Sequence, residues 1–250
     1  MVKVTEDCIN WIKTQFKDNP EGKAIIGISG GKDSTIAAAL CVEALGADRV
    51  IGVLMPQGKQ NDINDSYEVV ATLKLQYHVV NIGATCEALY HSISDAVFFS
   101  NGKNAVETNS MITTNAPARI RMTTLYAVAA LYPNSRVVNT CNRSEDFVGY
   151  STKYGDAAGD FSPLGNLTVR EVLEIGDDLG LPKHLVHKAP SDGMCGKTDE
   201  DNLGFTYEEL DGFLLGDGGL TMETMIKVAR LHKATRHKYL PMPTFEKGEI

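Results

Sequence analysis

The sequence predicts an α/β protein built as one doubly wound, mostly parallel β-sheet with helices on both faces. Short apolar runs rich in Ile and Val alternate with longer segments of helical periodicity, the pattern of parallel strands joined by helical crossovers. The chain has 250 residues, of which 43% are hydrophobic, enough to enclose one large core. We therefore expect a single domain over residues 1–250.

The individual elements follow in chain order from these two periodicities. Runs of apolar and β-branched residues predict strands at 24–29, 50–55, 77–82 and 136–140. Apolar residues three and four apart predict helices at 4–18, 33–45, 62–76, 84–98, 115–131, 206–214 and 219–233, with another beginning near Thr168. Polar stretches predict loops at 58–65 and 99–107, a mobile lid at 190–204 and a frayed tail at 241–250.

The first predicted strand runs into a glycine-rich turn, Gly27-Ile28-Ser29-Gly30-Gly31-Lys32-Asp33-Ser34. Adjacent glycines let the backbone approach a ligand closely, and the start of the following helix offers unpaired amides and a positive dipole end. The serine hydroxyls and Lys32 add further donors, so the turn predicts a cradle for phosphate groups. Asp33 does not suit a purely anionic ligand, and it indicates a cation such as Mg²⁺ that accompanies the phosphates.

The same turn can be compared with three other motifs. A P-loop has Ser or Thr directly after its lysine, whereas Asp33 follows Lys32 here. The dinucleotide fingerprint fails because Ser29 stands at its second glycine. Gly27-Ile28-Ser29-Gly30-Gly31 does match the nucleophile elbow of serine hydrolases. The local pattern is therefore compatible with a phosphate cradle, a serine hydrolase or a glycine turn without a ligand.

Composition narrows the class of protein further. The net charge of −8 disfavours a general nucleic-acid binder, because such proteins are usually basic. The five cysteines include no Cys-x-x-Cys pair, which is typical of reduced thiols in a cytoplasmic protein. No apolar run approaches the length of a membrane span, and no signal peptide is recognisable. We expect a cytoplasmic protein with neither a nucleic-acid nor a membrane partner.

A second polar stretch begins where the predicted strand 136–140 ends. It runs through residues 139–145 and 149–160 with Gly, Ser, Thr and charged side chains and without apolar periodicity. Because ligands of doubly wound sheets bind beyond the carboxyl ends of the strands, this stretch is expected near the cradle. The alternative at this point is a long solvated loop.

The cradle at 29–34 resembles the pyrophosphate-binding loop of the N-type ATP pyrophosphatases, which form adenylates and release pyrophosphate. Further pieces are similar, in the same order, to ammonia-dependent NAD synthetase: 118–122, 139–145, 149–160, 189–192, 199–204 and His237-Lys238. The resemblance implies an adenine nucleotide alpha hydrolase-like fold. It also implies a single synthetase domain without a glutaminase domain, so that ammonia is the nitrogen donor.

The resemblance further implies the reaction: ATP-dependent amidation of deamido-NAD to NAD through a deamido-NAD adenylate, with release of AMP and pyrophosphate. Such an enzyme is a ligase that forms a C–N bond, with ATP as co-substrate, Mg²⁺ as cofactor and a homodimeric assembly. Three alternatives stay open. They are another amide-forming or thiolating member of the superfamily, a serine hydrolase, and a nucleotide-binding protein without catalysis.

Matched residue by residue, the resemblance assigns three sets of site residues. ATP binding falls on Gly27, Ile28, Ser29, Gly30, Gly31, Lys32, Asp33, Ser34, Thr140 and Ser191. Catalysis and Mg²⁺ binding fall on Asp33 and Glu145, and deamido-NAD binding falls on Arg119, Lys153, Asp160, His237 and Lys238. One position departs from the family: Val169 stands where a lysine contacts ATP. Either Arg170 replaces that lysine, or ATP is bound more weakly or differently.

Overall fold

A computed structural model of the protein describes residues 1–60, 62–97, 110–188 and 199–245. Four strands form the sheet: β1 (Ala24–Gly27), β2 (Val50–Leu54), β3 (Gln76–Val79) and β4 (Arg136–Val137). Their order across the sheet is β3-β2-β1-β4, and the three pairings are all parallel. The predicted doubly wound parallel sheet is confirmed.

Helices fill the connections between the strands and the second half of the chain. They are α1 (Lys3–Gln15), α2 (Lys32–Leu45), α3 (Ile63–Thr72), α4 (Gly83–Ala96), α5 (Ser110–Ala129), α6 (Arg143–Val148), α7 (Val169–Asp178), α8 (Lys183–Val186), α9 (Asp199–Leu203), α10 (Tyr207–Leu215) and α11 (Met222–Thr235). Two short 3₁₀ helices lie at Ala47–Arg49 and Arg236–Lys238.

The two faces of the sheet carry separate cores because alternate residues of a strand point to opposite sides. Ala24 and Ile26 of β1 pack with buried residues of α1, α2 and α7. Ile25, between them, packs with Ile51 and Val53 of β2 and with the buried face of α5. The central strands are therefore covered on both sides, as expected for a parallel sheet.

A third apolar cluster lies outside the sheet and joins α6, α7, α10 and α11. Its fully buried members include Val148, Leu210 and Val228. This cluster anchors α6 through Val148, and α6 carries Glu145 on its first turn.

Most elements begin or end a few residues away from the predicted bounds, including β4, α3 and α5. The strand at 136–140 ends at Val137. Beyond it, the Asn139 amide donates to the Phe161 carbonyl, and the Asn139 side chain donates to the carbonyls of Asp156 and Ala158. α3 ends at Thr72 rather than 76, where Lys74 turns to a left-handed φ of 54°. α5 begins at Ser110 rather than 115, so that Pro117 lies inside the helix.

Two smaller predictions are also changed by the structure. Residues 63–65 of the predicted loop form the first turn of α3, and residues 199–203 of the predicted lid form α9. Within the described residues, no helix combines the length and the apolarity that a membrane crossing needs.

Candidate active site

The glycine-rich turn lies between the carboxyl end of β1 and the start of α2. Ser29 and Ser34 are joined by a hydrogen bond of 3.0 Å between their Oγ atoms, and the Gly31 amide donates to Ser29 Oγ at 3.2 Å. Among the described residues, no histidine is bonded to Ser29, so the geometry does not support the serine-nucleophile interpretation. The serines instead brace the turn.

Gly30 shows why this turn needs glycine. Its φ of +80° lies in the left-handed region, and a Cβ there would stand 2.8 Å from Cβ of Asp65 and 2.9 Å from the Ser66 amide nitrogen. Any side chain at position 30 would therefore strain the backbone and also displace the start of α3. The turn and α3 are fitted against each other.

The start of α2 opens into a cavity of about 490 Å³ at the carboxyl ends of the strands. Gly31 is the N-cap of α2, and no side chain in the described part of the chain caps this end, so the first amides of a 14-residue helix are available to a ligand. The cavity wall includes most of the cradle, Thr140 and Glu145, together with residues of α3 and α5. Predicted ATP-site residues from two distant segments are therefore brought together.

A charged centre lies beside the cradle. Lys32, 6% exposed, places Nζ 2.7 Å from Asp33 Oδ2 and 3.9 Å from Glu145 Oε1. Asn142 donates from Nδ2 to the other Asp33 oxygen at 2.9 Å. Asn142 also caps α6, where it accepts from the Glu145 amide at 3.0 Å. One amide side chain thus ties the two predicted metal ligands to each other.

The carboxylates of Asp33 and Glu145 carry more negative charge than the nearby Lys32 ammonium group neutralises. Burial raises the pKa of Glu145 well above its usual range, and the charge of Asp33 raises it further, although Lys32 opposes both. Burial alone lowers the pKa of Lys32, but the charges of Asp33 and Glu145 outweigh it, so the net pKa lies above the ordinary value. Two carboxylates therefore share a single ammonium group.

The residues present fit a magnesium ion. Asp33 and Glu145 supply hard oxygen ligands close to one common point, which Lys32 Nζ now approaches. Mg²⁺ typically binds one or two carboxylates and completes its shell with phosphate oxygens and water. The described residues contain no group of three or more His, Cys, Asp or Glu side chains placed for a metal, so from these residues only Asp33 and Glu145 would hold the ion.

The structure also shows cavity residues that sequence reasoning missed. They are Ser66, Asp199 and Arg121 in the cavity wall, and Asn142, which is not in the wall but bonds to Asp33. The Asn-x-x-Glu spacing of residues 142–145 is a capping-box signal that could have found Asn142. Asp199 begins the family-like segment 199–204 but is assigned no role there. Ser66 carries no motif, and only the folded chain brings it here.

The predicted deamido-NAD residues lie outside this cavity. Arg119 donates from Nε to the Lys153 carbonyl at 3.1 Å, and Lys153 donates from Nζ to the His237 carbonyl at 2.7 Å. We call these three residues the Lys153 edge. Lys238 lies next to it and donates to the carbonyls of Gly149 and Ser151.

The fifth predicted deamido-NAD residue is not connected to the Lys153 edge by a direct hydrogen bond. Asp160 accepts from the Val137 amide at 2.7 Å and from the Tyr126 hydroxyl at 3.0 Å, beside the edge strand β4. The structure thus gathers four of the five residues and leaves Asp160 bonded elsewhere. The role of all five in substrate binding stays a prediction.

Val169, at the position of the family's ATP-contacting lysine, is part of an apolar cluster away from the cavity. Val169 is buried at the start of α7 and packs in the third cluster, while Arg170 pairs with Asp217 at 3.1 Å. Neither residue lines the described cavity wall, so the geometry offers no support for Arg170 as a replacement for the lysine. Ser191 and most of the predicted lid lie outside the described residues.

A parallel sheet with a phosphate cradle and an acidic centre at its carboxyl edge defines the class of nucleotide-binding α/β proteins. A family model described as NAD synthase matches residues 4–242. The NH(3)-dependent NAD(+) synthetase of Carboxydothermus hydrogenoformans is 37% identical over 94% of this chain and 93% of its own length. The chain therefore belongs to the NAD synthase family.

Solved structures agree with this assignment. A structure of NMN synthetase from Francisella tularensis is 33% identical and matches with a TM-score of 0.87 over 98% of both chains. An NH3-dependent NAD synthetase from Campylobacter jejuni, in complex with the nitrate ion, is 29% identical and matches with a TM-score of 0.74 over 98% of both chains. The predicted family and fold are confirmed.

Proposed function

We propose that this protein is a ligase that converts deamido-NAD to NAD with ammonia and ATP, through an adenylate, releasing AMP and pyrophosphate. The carrying observation is the cavity that joins the cradle, the Asp33–Glu145 centre and Thr140 in one site within the NAD synthase family. The curated relative from C. hydrogenoformans, named for the ammonia-dependent reaction, supports the nitrogen donor.

The chemistry explains why such a site is needed. A carboxylate reacts poorly with ammonia because oxide is a poor leaving group. Attack of the nicotinate carboxylate on the α-phosphorus of ATP forms an acyl-adenylate and releases pyrophosphate. Ammonia then attacks the activated carbonyl carbon, and AMP leaves. The protein's task is positioning and charge stabilisation, so no covalent nucleophile is required.

The residues of this chain fit those tasks. The free amides at the start of α2 and the Ser29 and Ser34 hydroxyls would hold phosphate oxygens in place as pyrophosphate departs. Asp33 and Glu145 would hold Mg²⁺, which when bound neutralises charge on the phosphates. Asn142 fixes Asp33 relative to the first turn of α6, because it hydrogen-bonds to both.

A second candidate substrate is nicotinic acid mononucleotide, with nicotinamide mononucleotide as the product. The F. tularensis structure described as NMN synthetase matches this chain with a TM-score of 0.87, against 0.74 for the C. jejuni NAD synthetase. In addition, none of the five residues predicted for the dinucleotide lines the cavity. Both observations favour testing the mononucleotide beside the dinucleotide.

We also propose that the protein is a cytoplasmic homodimer. The cytoplasm is supported by Cys8, Cys41, Cys86 and Cys141, which are free and buried. A dimer is supported by a groove of about 540 Å³ between α4 and α5, whose walls include Leu89, Ile93 and Met111. Sedimentation of the purified protein checks the dimer, and a monomer at micromolar concentration contradicts it.

The decisive experiment measures AMP and amide product from the purified protein with ATP and Mg²⁺. Deamido-NAD and nicotinic acid mononucleotide are each supplied with ammonium or with glutamine. Product from deamido-NAD with ammonium supports the main proposal, and a higher kcat/KM with the mononucleotide supports the second candidate. Absence of AMP with both acids and both donors contradicts both.

A further inference from the structure

Helix α5 separates two grooves, and its two arginines lie on different sides of it. Thr114, Ala118 and Arg121, spaced four and three residues apart, line the cavity that holds the cradle. Asn115, Arg119 and Thr123, at four-residue spacing, line the groove against α4. Residues two apart on a helix point in very different directions, so only Arg121 accompanies the reacting groups.

Arg121 is fixed in a way that leaves its charge available. Its Nε donates to the Met55 carbonyl at 3.2 Å, at the carboxyl end of β2, which fixes the guanidinium but supplies no negative charge. Through the described ranges, Arg121 takes part in no ion pair. Asp156 acts on it through space and lines the same cavity, but the Asp156 carboxylate accepts from the Thr152 amide at 2.8 Å.

The surroundings of Arg121 contain a second group without a partner. The Tyr90 hydroxyl of α4 is buried and makes no hydrogen bond within the described residues. Tyr90 and Arg121 interact electrostatically, as do Arg121 and the buried Cys86. Burial lowers the pKa of Arg121, as expected for a cation with too little countercharge.

The other two cations of the described cavity wall are in the opposite situation. Lys32 is already shared between the carboxylates of Asp33 and Glu145, and Lys188 is paired with Asp65. The ATP phosphates have the cradle amides, and the adenosine of ATP is neutral. An unpaired guanidinium in the same cavity is therefore suited to an anionic group of the second substrate.

We propose that Arg121 binds an oxyanion of the nicotinate nucleotide and thereby positions the acid for adenylation. This inference rests on the proposed function. With Nε held by Met55, the two terminal amino groups can donate in parallel to a pair of oxygens, which both the nicotinate carboxylate and the 5′-phosphate present. The two sources share this chemistry and are separated by the experiment.

The test measures binding by calorimetry to wild type, Arg121→Ala and Arg121→Lys. Nicotinic acid mononucleotide carries both oxyanions, nicotinamide mononucleotide carries only the phosphate, and nicotinic acid riboside carries only the carboxylate. Arg121→Ala should raise the Kd of the first compound about 10- to 100-fold, the loss expected for a charged hydrogen bond. Arg121→Lys should recover part of it, because lysine restores the charge without the fork.

The two single-oxyanion compounds identify the source. A rise in Kd confined to the riboside assigns the carboxylate, and a rise confined to nicotinamide mononucleotide assigns the phosphate. ATP affinity should stay within about twofold in both variants. Arg230→Ala, which removes an exposed arginine of α11, is the matched control and should leave every constant unchanged.

Each remaining outcome overturns the inference, and the outcomes are distinguishable. If wild type forms AMP and binds the acid while Arg121→Ala keeps the wild-type Kd and KM, the inference is wrong and the proposed function stands. If Arg121→Ala loses ATP affinity as strongly as acid affinity, the residue is structural. If wild type neither binds the acid nor forms AMP, the proposed function itself fails.

Discussion

The cradle and the Lys153 edge hold polar groups in contrasting ways. The cradle sits on β1 and α2, whose neighbouring side chains are fully buried, and its charged centre is hydrogen-bonded side chain to side chain. The Lys153 edge lies at the surface and is held by charged side chains that donate to backbone carbonyls of a turn and of the 3₁₀ helix Arg236–Lys238. The first is preorganised by the core, whereas the second can rearrange at low cost.

The difference indicates how the two substrates are handled. Phosphoryl chemistry depends on fixed charges, because stabilisation is greatest when donors do not reorganise during the reaction. Binding the far part of a large substrate needs only modest and adaptable contacts. We therefore expect substitutions at the cradle to lower turnover or stability, and substitutions at the Lys153 edge to change only a Michaelis constant.

The largest effect is expected from Asp33→Asn. The substitution keeps the shape but removes one of the two charges that flank Lys32. Turnover should fall by about 10²- to 10³-fold, as when a preorganised charge is removed, while the KM for the acid changes less than about threefold. Asp48→Asn, an exposed position with the same charge change, is the control. Near wild-type turnover at saturating Mg²⁺ would contradict the metal role.

Gly30→Ala tests the fit between the cradle and α3. The new Cβ would lie 2.8 Å from Cβ of Asp65 on a residue whose φ is +80°. The substitution should therefore lower the free energy of unfolding by about 2 kcal/mol or more. Gly31→Ala is the matched control, because a Cβ there meets only Ser29 Oγ at 3.3 Å and φ is −86°. Urea denaturation measures the free energy of unfolding of both variants, and equal values would refute the strain argument.

Glu145→Gln isolates the second carboxylate of the centre. Loss of its charge should raise the Mg²⁺ concentration for half-maximal activity about tenfold or more, comparable with losses of metal affinity when supporting groups are removed. The capping geometry is kept, because glutamine can still accept from the Asn142 amide as Glu145 does. The measurement is a Mg²⁺ titration of AMP formation, and an unchanged midpoint argues against Glu145 as a ligand.

Asn142→Ala separates stability from positioning. Loss of the cap on α6 should cost about 1 kcal/mol of stability, and Asp33 also loses a donor. Thr221→Ala removes the corresponding cap of α11, which has no residue in the cavity wall, and serves as the control. Both variants should lose similar stability in thermal unfolding, but only Asn142→Ala should lose turnover. Equal turnover in the two would remove the positioning role.

The smallest effect is expected at the Lys153 edge. Lys153→Met removes the exposed ammonium that bonds to the His237 carbonyl. The KM for deamido-NAD should rise about 3- to 10-fold, in keeping with the modest value of exposed charges, while the KM for ATP is unchanged. Lys233→Met, exposed on α11, is the control. A change in the KM for ATP alone would place Lys153 in a different role.

The cradle and the position of Glu145 could be predicted from the sequence, because short segments of the chain determine them. The glycine turn, the strand before it and the helix after it are neighbours in the chain, and the family motifs identify their ligand. Glu145 follows a predicted strand, so its approach to the cradle follows from the geometry of parallel sheets. The two arginines of α5 could not be separated in this way.

The choice between Arg119 and Arg121 depends on how α5 is rotated about its axis. The helix is covered on both sides, by the sheet and by α4, so its apolar residues do not mark a single buried face. The link between Asp33 and Asn142 was also beyond prediction, since no local pattern joins residues 109 positions apart. Just beyond the end of β4, Asn139 likewise donates to carbonyls of the distant loop at 156–158, which no local pattern indicates.

The Asp33–Asn142 bond has a consequence for synthesis of the chain. On the ribosome, the cradle emerges more than a hundred residues before the side chain that orients its aspartate. A nascent chain that ends before Glu145 cannot bring both carboxylates to one ion, however well its first strands are folded. Binding of a ligand through both carboxylates therefore requires that synthesis has passed Glu145, and bound ligand stabilises the finished fold by RT ln(1 + [L]/Kd).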